Sequence, residues 1–408
     1  MNQVENYRIK LGKSEYLPIV VGGMGVDVST SEMALEVVRL GGIAHLSDAM
    51  ILAVCDKNFG TNFVQKKVEN YQKILAASPD NPPIPLYDQE DLRAAQTMYV
   101  ANTIQKKQGT GAVFLNCMEK VLMGAPSETM SIRLNAALDA GIDGITLSAG
   151  LHNYSVRLIE SHPRFREVKL GIVVSSWRAL RIFLRTMSRF NRLPDYVVVE
   201  GPLAGGHLGF GLDDWHTQNL EDIYDDVLTN IRKENLDIAV IPGGGIFDSG
   251  DVLRFLEKGA AGVQVATRFA ITKESGFSES TKQAFCKAEN EDILVETVSP
   301  TGYPMRMLKS SPCLNSNLIP QCIPLGYALD AHGICAYSES YKAVGHSSTG
   351  EKLPVADKTC LCHHIGRYRV YTCGTNAVRL KETLKKREDG TYILPTTEEV
   401  FLDYLGKN

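Results

Sequence analysis

Eight short apolar runs alternate with amphipathic segments between residues 18 and 270, and this alternation limits the possible folds more than any other feature. The runs are rich in β-branched residues and are bounded by glycine, proline or aspartate, which is typical of parallel strands buried on both faces. They are LPIVV (17–21), IAHLS (43–47), AVFLN (112–116), GITLS (144–148), LGIVVS (170–175), YVVVE (196–200), IAVIP (238–242) and GVQVA (262–266). Such a pattern over about 250 residues predicts an α/β fold, a (β/α)8 TIM barrel.

The segments between the runs place apolar residues three and four positions apart, as on helices that cover a sheet. They are SEMALEVVRLGG, ETMSIRLNAALDAG, SVRLIESHPRFREV, WRALRIFLRTMSRF, EDIYDDVLTNIRKE and DSGDVLRFLEKGA. Gly41, Gly141 and Gly259 are usual helix stops, and Asp248 or Ser249 can cap the last segment. A doubly wound open sheet is the competing fold, but no G-x-G-x-x-G motif follows the first run.

Two stretches of chain do not fit a plain barrel. Residues 51–110 are too long for one crossover and predict extra helices, with a proline-rich loop at 78–88. After residue 270 the segments SESTKQAFCKAEN and TEEVFLDYLG have helical character, whereas SPTGYPMRMLKSSP is turn-rich. We therefore predict a barrel over 1–270 with an insertion at about 51–110, and an appended, mostly helical or irregular C-terminal region over 271–408. That region is expected to cover the barrel mouth or an interface.

Charge and composition exclude several classes of protein. The formal net charge of −4 argues against a nucleic-acid-binding surface, which is normally basic. No apolar run is as long as a membrane span and no signal-peptide core is visible, so we expect a cytoplasmic protein that binds no membrane. The odd count of nine cysteines favours free thiols, and CLCHH (360–364) lacks the spacing of a zinc site, so no metal is predicted. A homodimer is left open.

Glycines are concentrated where the predicted strands end, which is where the active sites of such barrels lie. GGMG follows the first run, GPLAGGHLG the sixth and GGGIFDSG the seventh. The glycines at 243–245, with Gln264 and Thr267 at the end of the eighth run, form a candidate phosphate cradle, because glycine lets backbone N–H groups close on anionic oxygens. A flexible turn is the alternative. Arg268 either adds charge there or faces outward.

Two further strand ends suit a flat ligand. Gly22, Gly23 and Met24 can lie against an aromatic ring through backbone and thioether, or they are simply a tight exit from the first strand. Asn116, after the third run, offers a donor and an acceptor to the edge of a heterocycle, or it is a satisfied loop residue.

His207 is the best candidate for proton transfer, because it follows a strand end and is surrounded by glycines in EGPLAGGHLGF (200–210). A neutral imidazole at that position can accept or donate a proton near neutral pH. His152, after the fourth run, is its rival. His45 lies inside the second run and is expected to be a core or lumen residue.

Several of these segments together resemble a known family of flavoenzymes. They are LPIVVGGMG, LNCM, VVVEGPLAGGHLGF, IPGGGIFDSGDVLRFLEKGAAGVQVATRF, TKES and SPTGYPMRML, and they occur in this order. The chain is similar to the FMN-dependent TIM barrels of the nitronate monooxygenase (2-nitropropane dioxygenase) family, which is related to the flavin-dependent enoyl-[acyl-carrier-protein] reductases. The resemblance implies FMN as cofactor and His207 as the catalytic base or proton donor near the flavin. It implies cofactor contacts for Gly22, Gly23, Met24, Asn116, Ser175, Ala204, Gly205, Gly206, Gly243, Gly244, Gly245, Gln264, Ala266 and Thr267.

The resemblance also implies the reaction. An alkyl nitronate would be oxidised with dioxygen to a carbonyl compound and nitrite. The alternative is an enoyl-thioester or quinone reductase that uses NAD(P)H as electron donor. A non-redox aldolase or isomerase would share the phosphate cradle, but it would need a lysine or a pair of carboxylates, and the strand ends supply only Glu200. Pro202 and Leu203 stand where relatives often carry an acid, so we expect the substrate preference to differ there.

Overall fold

The computed structural model describes residues 3–77, 88–119, 121–122, 126–314, 318–320, 327–328 and 335–407. Eight parallel strands close into a barrel in which each strand pairs with the next along the chain and the last pairs with the first. They are β1 (Ile19–Val21), β2 (Ile43–Ser47), β3 (Ala112–Met118), β4 (Gly144–Ser148), β5 (Lys169–Val174), β6 (Tyr196–Glu200), β7 (Ala239–Gly243) and β8 (Val263–Val265). The TIM barrel prediction is confirmed, and the open sheet is wrong.

Side chains alternate between the barrel lumen and the surrounding helices, as the period of a strand requires. On β6, Tyr196 and Val198 pack in the lumen, where Tyr196 stacks on Phe114 of β3 with ring centroids 5.5 Å apart. Val197 and Val199 belong instead to the larger core between strands and helices. The same register directs the next residue, Glu200, toward the lumen at the carboxyl end of the barrel.

Helices cover the barrel in the order that the apolar periodicity predicts. They are α1 (Ser31–Arg39), α2 (Ile51–Phe59), α3 (Phe63–Ala77), α4 (Gln89–Gln105), α5 (Pro126–Asp139), α6 (Trp177–Met187), α7 (Leu220–Lys233), α8 (Ser249–Glu257), α9 (Thr267–Ala270), α10 (Glu279–Cys286), α11 (Ala336–Ala343), α12 (Leu361–Ile365) and α13 (Thr397–Tyr404). The extra helices expected between β2 and β3 are α2 to α4. Asp248 caps α8, since its carboxylate accepts from the N–H of Asp251 at 3.0 Å. Most of the proline-rich loop at 78–88 lies outside the described residues.

One predicted helix does not form. The segment SVRLIESHPRFREV (155–168) contains two single 3₁₀ turns, Ser155–Leu158 and Pro163–Arg166. Pro163 explains the break, because it lacks the N–H that a continuous helix needs and it disfavours the helical conformation of the residue before it.

Short strands close the two ends of the barrel. The hairpin of Ile9–Leu11 and Ser14–Tyr16 packs on the lumen residues from below. At the other end, Gly206–His207 pairs with Met305–Leu308, which pairs with Ile293–Glu296. The segment expected to be turn-rich therefore contributes a strand that holds the histidine loop. The remaining pair is Val121–Leu122 with Tyr327–Ala328.

The C-terminal region packs on the barrel through a second apolar core. That core joins Val28 and Phe247, from loops after β1 and β7, to Phe277, Phe285 and Leu308. The division into a barrel over 1–270 and a region over 271–408 stays a prediction. No described helix is long and apolar enough to cross a membrane. Within the described ranges no group of histidine, cysteine and acidic side chains could hold a metal ion. Five buried cysteines are thiols without a disulfide; they are Cys55, Cys117, Cys286, Cys313 and Cys373.

Candidate active site

The glycines after β1 make room for two amide side chains at the barrel mouth. A Cβ atom on Gly23 would lie 2.3 Å from Cβ of Asn116, and one on Gly22 would lie 3.3 Å from the Gln264 side chain. Within the described part of the chain, neither the Asn116 nor the Gln264 amide has a hydrogen-bond partner. Two adjacent amides with unused donors and acceptors suit the edge of a heterocyclic ligand.

The loop after β1 is fixed by its own hydrogen bonds and by the C-terminal region. The N–H of Met24 donates to Ser29 Oγ at 2.8 Å, and the Met24 side chain packs against both apolar cores. Asp27, which is 1% exposed, accepts from the hydroxyl groups of Tyr99 and Tyr368 at 3.1 and 3.0 Å. Because Tyr368 comes from the C-terminal region, that region helps to set the position of Met24.

His207 lies on the short strand above the mouth and is held by a hydroxyl pair. Its Nε2 lies 2.6 Å from Ser299 Oγ, which lies 2.8 Å from Thr301 Oγ1. Among the described residues Nδ1 has no hydrogen-bond partner. Burial lowers the pKa of the His207 imidazole to about 4, so the ring is neutral at physiological pH. When Nε2–H donates to Ser299, Nδ1 is left as a free proton acceptor.

A buried arginine fixes the loop that carries His207. Nη1 of Arg306 donates to the carbonyl oxygens of Pro202 and Ala204 at 2.5 and 2.6 Å, and the side chain is 1% exposed. Its guanidinium lies 4.7 Å from the ring centroid of Trp215. Burial lowers the pKa of Arg306 to about 10, which still leaves it cationic at neutral pH. The backbone at Pro202 and Leu203 is therefore held in place, while the Leu203 side chain packs near Gly245.

Each glycine of this loop makes room for a different neighbouring group. A Cβ on Gly205 would lie 2.5 Å from the backbone of Cys373, and one on Gly209 would lie 2.2 Å from Ser175 Oγ. Gly205 therefore makes room for the C-terminal region on that side. Gly206 has φ +77°, and its nearest neighbour to an added Cβ would be Thr372 at 4.0 Å. Gly206 is the position in this loop with open space beside it.

The loop after β7 presents two unused backbone donors. Gly244 and Gly245 have φ of +95° and +89°. Among the described residues neither of their N–H groups has an acceptor. Gly243, which precedes them, pairs with Gln264, and Ala266 leads into Thr267 at the start of α9. Thr267 Oγ1 accepts from the N–H of Gly374 at 2.9 Å, so its own hydrogen remains free to donate. Consecutive N–H groups of this kind form anion-binding concavities.

Three other residues singled out in the sequence are committed elsewhere. Arg268 is 4% exposed, pairs with Asp403 of α13 and donates to the Phe247 carbonyl at 3.0 Å, so it anchors the C-terminal helix. Both ring nitrogens of His152 have partners inside the protein, at 2.8 and 2.7 Å. Both nitrogens of His45 are likewise bonded within the lumen. Neither His152 nor His45 offers a free nitrogen to a substrate.

Glu200 is an isolated carboxyl group at the end of β6. Within the described ranges it has neither a hydrogen-bond partner nor an ion pair. Desolvation raises the pKa of the Glu200 carboxyl to about 7. Sequence reasoning noted Glu200 only as an acid at a strand end, and it gave no role to Ser299, Arg306 or Thr375. The segment SPTGYPMRML, which contains Ser299 and Arg306 and is one of the segments that resemble the family, was the available signal for the first two.

Comparisons with known proteins agree with this geometry. A family model described as nitronate monooxygenase matches residues 8–333. A probable nitronate monooxygenase of Staphylococcus saprophyticus is 25% identical over 197 residues, which is 48% of this chain and 52% of that protein. The chain thus spans about half the length of this relative.

Solved structures share the fold at low sequence identity. FabK from Thermotoga maritima aligns with a TM-score of 0.56 and 17% identity, covering 96% of this chain and 92% of that one. A nitroalkane oxidase from Streptomyces ansochromogenes aligns with a TM-score of 0.55 and 16% identity, covering 96% and 95%. These similarities show a shared fold.

Proposed function

The chain belongs to the nitronate monooxygenase family, and on that premise we propose that it is an FMN-dependent oxidoreductase acting at the barrel mouth. The observation that carries the proposal is His207. A neutral imidazole is fixed by Ser299 through one nitrogen, and the other nitrogen is free beside a glycine loop. This is the arrangement of a general base rather than of a structural histidine.

The residues at the mouth fit FMN. Gly244, Gly245 and Thr267 present unused donors of the kind that a phosphate needs. Asn116 and Gln264 would hydrogen-bond the ring edge, and the open side of Gly206 would admit its face. The proposal also includes further cofactor contacts, namely Gly22, Gly23, Met24, Ser175, Ala204, Gly205, Gly243 and Ala266. When bound, FMN would supply the electron transfer.

The protein's own part in the reaction is binding, orientation and proton transfer. With Nε2 held by Ser299, Nδ1 of His207 can take a proton from the carbon next to a nitro group. Burial lowers the pKa of the His207 imidazole to about 4, so the ring is unprotonated through the physiological range and Nδ1 keeps a lone pair that can accept a proton. Arg306 keeps this geometry by holding the loop carbonyls on either side of Leu203.

The finer proposal concerns the substrate. We infer an alkyl nitronate, oxidised with dioxygen to a carbonyl compound and nitrite, and His207 would extend the substrate range to the neutral nitroalkane. The description of the matching family and the name of the staphylococcal relative support this choice. The proposed substrate is a small molecule.

Glu200 favours a second candidate, an NAD(P)H-dependent enoyl-thioester or quinone reductase. Reduction of such a substrate needs a group that delivers a proton near neutral pH. A carboxyl group with a pKa of about 7 is half protonated there, so it can act as that donor.

Anaerobic reduction of the FMN-loaded protein separates the two candidates. NADH, NADPH and an alkyl nitronate are mixed with it separately, and the loss of visible flavin absorbance is followed. We expect the nitronate to bleach the flavin fastest. Bleaching by NADH or NADPH but not by the nitronate would contradict the nitronate proposal and favour the reductase. Bleaching by none of the three would contradict both.

A further inference from the structure

One short segment of the C-terminal region, residues 372–376 (TCGTN), reaches the loops that we assign to the cofactor's phosphate. We call it the TCGTN segment. The N–H of Gly374 donates to Thr267 Oγ1 at 2.9 Å, at the end of β8. The next N–H, of Thr375, donates to the carbonyl oxygen of Leu203 at 3.1 Å, in the loop after β6.

The same segment also contacts the loop after β7. Nδ2 of Asn376 donates to the carbonyl oxygen of Gly245 at 2.7 Å. A Cβ on Gly374 would lie 3.0 Å from both Leu203 O and Thr267 Oγ1, so a larger residue there would push the segment away from these two neighbours. The TCGTN segment therefore joins both loops of the predicted phosphate cradle, after β7 and β8, to the glycine loop after β6.

Thr375 carries an unused hydrogen-bonding group at the centre of this bridge. Its Oγ1 is buried and has no partner within the described part of the chain, although the residue as a whole is only half-buried. An unsatisfied buried hydroxyl is unfavourable, whereas a hydroxyl that meets an anion gains a strong hydrogen bond. Rotation about χ1 moves the hydroxyl to another staggered position, and no existing hydrogen bond of the side chain is lost by it.

We propose that Thr375 is a ligand of the cofactor's phosphate, contributed by the C-terminal region and acting beside the N–H groups of Gly244 and Gly245. The inference rests on the proposed function, since it takes FMN as the cofactor. The two cradle loops that the segment contacts carry hydrogen-bond donors, namely the N–H groups of Gly244 and Gly245 and the Thr267 hydroxyl. A phosphate, which only accepts hydrogen bonds when doubly ionised, matches that set.

The test compares FMN with riboflavin, which has the same ring and no phosphate. The full chain is freed of flavin, and dissociation constants are measured by quenching of flavin fluorescence for the wild type, Thr375→Val and Thr375→Ser. We expect Thr375→Val to weaken FMN binding by roughly tenfold and to leave riboflavin binding unchanged, because one charge-assisted hydrogen bond is lost. Thr375→Ser should keep FMN binding near that of the wild type.

Thr383→Val is the matched control, because Thr383 ends the same helical segment and its hydroxyl donates to the Leu380 carbonyl at 3.0 Å. Thr383→Val should lower the stability of the flavin-free protein and leave FMN binding unchanged. Thr375→Val should do the opposite, since it removes a hydroxyl that has no partner. Equal FMN affinity of Thr375→Val and wild type would overturn the inference, and so would an equal loss for FMN and riboflavin. A wild type that binds neither flavin would overturn the proposed function itself.

Discussion

Polar groups in the barrel lumen are hydrogen-bonded to one another, whereas several polar groups at the barrel mouth have no partner among the described residues. In the lumen, His45 is bonded through Nδ1 to the Val21 carbonyl at 2.8 Å and through Nε2 to Thr146 Oγ1 at 2.5 Å, and Thr146 contacts the Tyr196 hydroxyl. At the mouth, the Asn116 and Gln264 amides, the Glu200 carboxyl and the Gly244 and Gly245 N–H groups have no partner among the described residues.

The difference teaches where the fold is complete and where it needs a ligand. Leaving a buried polar group unpaired costs about 1–3 kcal/mol, so the groups in the closed lumen are paired with one another. Glu200 and Gln264 at the mouth are only partly buried, so these unpaired groups are accessible to a ligand. The two histidines show it most directly. Burial lowers the pKa of both to about 4, yet His45 is fully bonded and His207 keeps one nitrogen free.

Replacing each histidine by alanine should affect different properties: His207→Ala should reduce turnover, and His45→Ala should reduce stability. This is the largest effect we expect. His207→Ala should reduce turnover of a neutral nitroalkane by about 10²- to 10⁴-fold, the usual contribution of a general base, with folding and FMN content retained. Turnover of the preformed nitronate should fall much less, because its proton is already gone. Steady-state kinetics with the two substrate forms checks this.

The control is His45→Ala, which leaves a cavity and unpairs Thr146 in the lumen. It should lower the free energy of unfolding by several kcal/mol, as measured with denaturant. If His207→Ala kept full turnover of the nitroalkane, the base would have to lie elsewhere. If both variants lost the same amount of stability, the His207 side chain would contribute to folding as much as the fully bonded His45 does, which would contradict the comparison.

Glu200→Gln tests whether the carboxyl group at the mouth is unpaired, through the pH dependence of the free energy of unfolding. Its expected effect is the smallest of the three. Desolvation raises the pKa of Glu200 from 4.5 to about 7, so between these values the folded state holds a proton that the unfolded state has released. Burial of the neutral Glu200 carboxyl therefore costs no folding stability from ionisation below about pH 4.5, and folding stability falls as the pH rises from there through 7.

Unfolding of the flavin-free protein by denaturant at pH 5 and pH 8 provides the measurement. Glu200→Gln should match the wild type near pH 5 and exceed it by about 2 kcal/mol at pH 8, a figure reduced to allow for the partial exposure of the side chain. A difference between the two proteins that is the same at both pH values would mean that Glu200 is not the isolated carboxyl described here.

The barrel could be predicted from sequence because its determinants are local. β2, β4 and β6 have the predicted bounds, since each is a β-branched run with a clear turn at both ends. The contribution of the C-terminal region could not be predicted in this way. Ser299 reaches His207 across 92 residues of chain, and the TCGTN segment reaches Gly245 across 131. Contacts that distant follow from tertiary packing, which leaves no period in the sequence.

The same reason explains which candidate site residues could be proposed from the sequence. Glycines and a histidine at the end of a predicted strand form a local pattern that can be read from the sequence and that indicates a candidate site. The pairing of His152 with Ser155 and Ser148 is not visible there, so it could be a rival to His207 until its contacts were known. The reassignment of Arg268 to Asp403 likewise depends on where α13 packs.

The central claim is that the unpaired groups at the mouth hold FMN, and the visible spectrum of the purified protein tests it most directly. The account predicts a yellow protein with flavin absorbance that releases FMN in equimolar amount on heat denaturation. A colourless protein that also fails to bind added FMN would contradict it.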